Sequence, residues 1–299
     1  MFKRVKILAL PLLLVVIFAA LPLAGCGGTP GDDGNGGGVE LNQQELQQVM
    51  ADSMVAYEDA ASYAFTYDMS MNMEMAGGSS PGTMEMTMRG DGKADVAAST
   101  MLMDLDVSLD SDVQGMEGSQ EMSAEMYMLT DWIYMNLEMT GMGKQWVKTP
   151  VTEDVKEAFN MNVVDQQLMP LESMGEVEFL KYESVDGSQC FVLSIVPDID
   201  AMKAWLEAQQ ITSTTADWDM LVGDMFNELS YKVWVDTETN LLKKMTMVVD
   251  MNLTASQVGA TDTDFDSMTM HMELEMTLSD YNEPITIDLP DEALDAQEM

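Results

Sequence analysis

The chain has 299 residues, with 13 Lys and Arg against 52 Asp and Glu and a formal net charge of −39. Three of those cations, Lys3, Arg4 and Lys6, stand in the first six residues, so the remainder is near −42. Such a surface repels phosphate backbones and anionic lipid heads, which excludes nucleic acid as a partner and a body lying flat on a membrane; it suits a salt-rich or calcium-rich habitat.

The three cations precede an almost wholly apolar run over 7–23, which makes the n-region and h-region of an export signal. A spanning helix needs about 20 apolar residues, so this run is near the lower limit and the residues just after it decide its fate. Leu23-Ala24-Gly25-Cys26 resembles a bacterial lipobox, in which small residues let a peptidase cut before a cysteine that carries a diacylglyceryl group. The alternative is an uncleaved signal anchor in which Cys26 is incidental. Two or three acyl chains on one residue anchor stably, whereas a single chain binds only marginally. After Cys26 the segment GGTPGDDGNGGG has no apolar pattern and reads as a flexible tether. The expected boundaries are a signal peptide over 1–25, the lipidated Cys26 with its tether over 26–40, and a single folded domain over 41–299. Cys190 is the only other cysteine, so the domain is expected to fold without a disulfide.

The first predicted element is a helix over about 42–62. Asn42 and Glu45 make a capping pair, and Leu46, Val49, Met50, Met54 and Tyr57 recur at helical spacing. After it the period drops to 2. Met69, Met71, Met73 and Met75 alternate with Ser70, Asn72 and Glu74. Met84, Met86 and Met88 follow the same rule, as do Met101, Met103, Leu105, Val107 and Leu109. The segment 76–82 and the triplet Gly90-Asp91-Gly92 read as loop and hairpin chemistry between these strands. Further strands are predicted over 122–129 and 133–139 and around Trp146. The alternation stops over 152–172, where Val155, Phe159, Val163, Val164, Leu168 and Leu171 suggest one or two helices.

Strands return over 177–185 and 189–196, joined by the hairpin signal Asp186-Gly187. A capped helix carrying Ile199, Met202, Trp205 and Leu206 on one face comes next. The final strands hold Leu229, Tyr231, Val233 and Val235, then Met245, Met247, Val249, Met251 and Leu253, then Met268, Met270, Met272, Leu274, Met276 and Leu278. About ten strands exceed what an open twisted sheet carries without curling. The expected fold is therefore α+β, mostly antiparallel β: a strongly curved sheet or incomplete β-barrel with helices against its concave face.

This element order, with the segment Tyr231-Lys232-Val233-Trp234-Val235-Asp236-Thr237-Glu238-Thr239-Asn240-Leu241-Leu242-Lys243-Lys244-Met245, resembles the LolA/LolB and LppX/LprG-like superfamily of bacterial lipoproteins over about 41–293. The resemblance implies a half-barrel enclosing an apolar cavity for lipid or acyl chains. The extreme acidity and Met content depart from carriers of that type.

Methionine is the compositional oddity, with 33 residues. Thioether clusters hold Cu(I), but M-x-M at strand spacing puts the sulfurs on one apolar face, where Met acts as a flexible hydrophobe. Cavity lining is the preferred reading, with candidates Met69, Met71, Met73, Met86, Met88, Met101, Met103, Met135, Trp205, Met245, Met247, Met270 and Met272. Asp262, Asp264 and Asp266, with Glu273 at the twelfth place, have the spacing of a calcium loop. Ser267 stands where that loop needs Gly, so a solvated hairpin is preferred. His271 is the only histidine, which leaves no His cluster for zinc and no base for a nucleophile. Trp132, Trp146, Trp205, Trp218 and Trp234 are scattered and read as core or cavity-rim residues.

The functional expectation is a non-catalytic lipoprotein, exported and anchored at the extracytoplasmic face of the cell membrane through Cys26, that binds a lipid or other apolar ligand without a cofactor. The alternative is a surface interaction or envelope-sensor lipoprotein whose half-barrel is filled by its own side chains. A continuous cavity of at least about 300 Å³ favours the first and a packed interior the second.

Overall fold

The structure is a computed structural model and describes residues 41–78, 81–113, 117–139, 142–151, 176–196, 226–255 and 266–298. The chain enters through helix α1, Gln43–Glu58. Its cap is the predicted one. The Asn42 side chain accepts from the amides of Gln44 and Glu45 at 3.0 and 3.1 Å, and the Glu45 carboxylate accepts from the Asn42 amide at 2.8 Å. No described helix is long and apolar enough to cross a membrane.

The helix ends earlier than the sequence suggested. Tyr63, Phe65 and Tyr67 alternate with Ala64, Thr66 and Asp68, so this stretch already has the strand period and forms the start of β1, Ser62–Ala76. The strands after it are β2 (Gly82–Asp95), β3 (Thr100–Ser111), β4 (Gly118–Met128), β5 (Trp132–Met139) and β6 (Met142–Pro150). Next come β7 (Glu176–Val185), β8 (Ser188–Val196), β9 (Phe226–Asp236), β10 (Leu242–Thr254), β11 (Ser267–Ser279) and the short β12 (Gln297–Glu298).

All twelve belong to one large curved, unclosed sheet in the order β12-β6-β5-β4-β3-β2-β1-β11-β10-β9-β8-β7. Every neighbouring pair is antiparallel except β12 with β6. The sheet consists of two meanders joined where β1 pairs with β11. Bulges between β10 and β9, β5 and β6, and β7 and β8 add local twist. At the hairpin Asp186-Gly187 both residues take positive φ, 48° and 85°, as the tight primed turn requires.

One expected turn is absent. Gly90-Asp91-Gly92 does not end a strand but runs through the middle of β2, and the chain reverses later, at 96–99. The reason is local: a Cβ at Gly90 would lie 2.7 Å from the Tyr67 ring, and one at Gly92 would lie 2.9 Å from a Phe65 ring carbon. Glycine here gives room to aromatic rings on the neighbouring strand, not a reversal.

Helix α1 sets Leu46 and Met50 into the same buried cluster as the methionines of β1, β2, β10 and β11. The Gln43 amide holds it to the sheet by donating to the Val177 carbonyl at 2.9 Å. The helices expected over 152–172 and after Asp198 lie outside the described residues, as do the signal peptide, Cys26 and the tether.

Candidate functional site

Alternation fixes which side chains meet. Since β1 pairs in register on both sides, Met71 stands opposite Met86 and Met272, Met73 opposite Met84 and Met270, and Met69 opposite Met88 and Leu274. The rows continue outward on the same face. One of them runs Tyr231, Met247, Leu274, Met69, Met88, Val107 and Met122, crossing from β9 to β4 without a charged residue. Nine of the thirteen cavity candidates, Met69, Met71, Met73, Met86, Met88, Met245, Met247, Met270 and Met272, lie in one cluster with Met84, Met251, Met268, Val249 and Val233.

The remaining candidates are placed otherwise. Met101, Met103 and Met135 belong to a second, smaller cluster around Met126, Met128 and Ile133. Trp205 lies outside the described residues. The other face of the same strands is polar. Its rows include Asp91, Asp104 and Glu125, successive cross-strand partners on β2, β3 and β4. Burial and then the charges of Glu125, Asp91 and Asp106 push the Asp104 carboxyl above its ordinary range. Glu125 accepts from the Tyr127 hydroxyl at 2.6 Å and from the Asn136 amide at 3.3 Å.

His271 also stands on the polar face. Its Nδ1 lies 2.6 Å from Asp250 and its Nε2 3.4 Å from Glu273, and the hydrogen bond to Asp250 raises the imidazole pKa above 6.5. Glu273 is thus a strand residue beside His271 and not the last ligand of a calcium loop, because β11 begins at Ser267. Among the described residues no group of three or more His, Cys, Asp or Glu side chains is placed to hold a metal ion. Trp132 and Trp146 are half-buried on β5 and β6, with Lys148 over the Trp132 ring at 4.9 Å and Tyr127 beside Trp146 at 6.0 Å. Trp234 is buried with Cys190 and Val192 in a third small cluster, so these three are not rim residues of the Met wall.

Residues 45–298 match the model of a family of unknown function, DUF6612. The chain belongs to this family. No curated protein matches its sequence. Among solved structures, this DUF6612 chain is similar to LprF from Mycobacterium bovis, with 16% identity over 85% of this chain and 99% of that one and a TM-score of 0.45. It is also similar to the lipoprotein LppX from Mycobacterium tuberculosis, with 13% identity, coverage of 83% and 100%, and a TM-score of 0.38. A third is a proposed outer membrane lipoprotein-sorting domain from Vibrio parahaemolyticus, with 13% identity, coverage of 85% and 97%, and a TM-score of 0.26.

Two clefts open on the polar side of the DUF6612 sheet. One, of about 410 Å³, lies along Asn72, Glu85, Asp250 and His271, and the other, of about 310 Å³, lies along Asp68, Arg89, Asp91 and Asp104. The Met face, by contrast, is closely covered: Met71 is 2% exposed and Met272 1%. Sequence reasoning found the Met columns but left out Phe65 and Tyr67, which continue the β1 column toward its start. The same period of 2 runs through them, in the stretch between the helix predicted over about 42–62 and Met69.

Proposed function

We propose that the chain is an extracytoplasmic lipoprotein, anchored through Cys26, that binds a lipid or other apolar ligand on its Met-lined face and performs no chemistry. The observation that supports this is the one-sidedness of the sheet. Rows of Met, Val and Leu cross six or more strands on one face, while Asp, Glu, Ser and Thr occupy the other. Met has an unbranched, polarizable side chain, so a Met wall changes shape around an entering chain at low cost where Val or Ile walls cannot. With a net charge near −42 once Lys3, Arg4 and Lys6 are set aside, the body itself stays off anionic lipid, and the anchor alone gives it a membrane address.

A second reading has its own support. The deep burial of Met71, Met272 and Val249 is what a sheet filled by its own side chains and by Leu46 and Met50 of α1 shows, and that suits a surface interaction or sensor lipoprotein. Displacement of a fluorescent fatty acid from the full chain separates the two. Saturable binding, competed by unlabelled fatty acid and weakened by Met71→Asp, is expected for the carrier. Absence of saturable binding contradicts it and leaves the self-filled body.

A further inference from the structure

The carboxylates of the polar face are not all matched alike. Asp68 holds Arg89 at 2.7 Å, Glu275 holds Lys244 at 2.6 Å, and Asp250 lies 2.6 Å from His271. A further row crosses β2, β3, β4 and β5 as Asp91, Asp104, Glu125 and Asn136. Among the described residues no lysine, arginine or histidine forms an ion pair with its three acids. Of the cations beside it on the same face, Arg89 is engaged by Asp68, Lys93 stands opposite Leu102, and Lys148 lies over the Trp132 ring at 4.9 Å. The charges that bear on Asp104 are accordingly all negative, those of Glu125, Asp91 and Asp106.

The row runs from open to closed. At Asp91 and Asp104 it borders the cleft of about 310 Å³, and at its other end Asn136 is 6% exposed. There Trp146 stands opposite Asn136 on β6, with the Tyr127 ring 6.0 Å from the indole. The Asn136 amide donates through Nδ2 to Glu125 at 3.3 Å, which turns the group along the row, and the Oδ1 of the same amide is buried without a hydrogen-bond partner. A carbonyl oxygen sealed from water and left unpaired is a cost to the fold that a ligand N–H removes. Three acids and an orphan acceptor in line call for a ligand that brings both positive charge and several donors.

The shape of the row decides between kinds of cation. A metal ion needs its ligands around one point, whereas neighbouring strands set these side chains along a line, about 4.8 Å per step. In agreement, no group of three or more His, Cys, Asp or Glu side chains among the described residues is placed to hold a metal ion. A linear polyamine carries its charge along a line too, since spacers of three or four methylenes put successive ammonium groups about 5–6 Å apart. We propose that the row of Asp91, Asp104, Glu125 and Asn136 is a binding site for a linear polyamine, whose ammonium groups donate to the acids strand by strand and whose last one reaches Asn136 Oδ1. The Trp146 ring beside that end offers the terminal ammonium a cation–π contact. The site lies on the face opposite the Met wall and is independent of any apolar ligand there.

The test is calorimetric titration of the full chain, carrying Cys26→Ser to remove the proposed anchor, with spermidine, with calcium chloride and with a Lys-rich peptide at one ionic strength. The expected result is saturable binding of one spermidine per chain, weakened about tenfold or more by Asp104→Asn with Glu125→Gln and by Asn136→Leu. Asp110→Asn with Glu228→Gln removes the same charge elsewhere on the polar face and is expected to leave the affinity unchanged. Gln at 125 still accepts from the Tyr127 hydroxyl, so the first pair decides alone where Asn136→Leu does not unfold cooperatively. Absence of saturable spermidine binding overturns the site. Equal weakening in the control pair overturns it as well, because the attraction is then to the acidic body at large. Calcium or peptide bound more tightly than spermidine, and lost in the first pair, assigns the row to a metal ion or a protein partner and overturns the polyamine.

Discussion

Met71 and Met272 face each other across β1 and β11, and both are among the most deeply buried side chains of the described residues. Truncating such a residue removes its transfer free energy and leaves a cavity, so Met71→Ala is expected to cost about 2–5 kcal/mol in urea denaturation. Glu74→Ala, three residues along on the polar face, is expected to stay within about 0.5 kcal/mol. At Asp236, burial opposes the charge, but the amides of Thr239 and Glu238 and the hydroxyls of Ser188 and Thr239 outweigh it and hold the carboxyl below its ordinary 3.8. The two amide bonds, both 2.9 Å, tie the β9–β10 turn, and Asn240 completes it with φ of +58°. Asp236→Ala therefore removes a turn anchor as well as a charge, and a loss of about 1–3 kcal/mol in the same assay is expected. The Met columns were legible because period 2 and one residue type coincide over several strands. The carboxylate of Asp236 was visible only as part of a turn, since its burial depends on β8 pairing beside it.

Among the elements, β7 bears one of the two described edges of the sheet, and edges left flat recruit other chains. Its protection is a bulge. Phe179 pairs with Leu193 and Lys181 with Val192, so Leu180 is an extra residue, 38% exposed, and both Phe179 and Tyr182 fall on one face against Phe191. Deleting Leu180 keeps both rings on that face while straightening the strand. The expected outcome is concentration-dependent dimerisation by light scattering, beyond that of the parent chain; an unchanged mass contradicts the role of the bulge. Hairpin chemistry was readable for Asp186-Gly187 and misleading for Gly90-Asp91-Gly92. The two look alike in sequence, and what separates them is a tertiary fact, the rings of Tyr67 and Phe65 waiting on β1. The end of α1 was misplaced for a related reason, because Tyr57 and Tyr63 belong to one ring cluster that spans the helix-strand junction.

At the scale of the whole molecule, the formal net charge of −39 sets how stability responds to pH and salt. The polar face stacks Asp91, Asp104 and Glu125 side by side, with Asp68 and Arg89 forming an exposed pair nearby. Protonation of Asp104, whose pKa is raised, relieves that repulsion as pH falls. The His271 pKa is raised by Asp250, so its contribution is complete below 6.5 and is lost as pH rises through the raised value. Asp236 acts in the opposite sense: its contribution is present above 3.8 and is lost as pH falls through the lowered value. Calorimetry across pH should therefore place maximal stability in the mildly acidic range, between about 4 and 6.5. At neutral pH, added NaCl should raise the Tm by screening the carboxylate rows; a Tm that falls with salt contradicts this reading of the surface.

The carrier proposed for the molecule turns on its one-sided Met wall, and native mass spectrometry of the full-length protein after gentle extraction tests that wall most directly. The expected spectrum holds a second apolar mass, released on collisional activation and distinct from the acyl groups proposed for Cys26. Repeated observation of the chain without such a mass contradicts the proposed carrier.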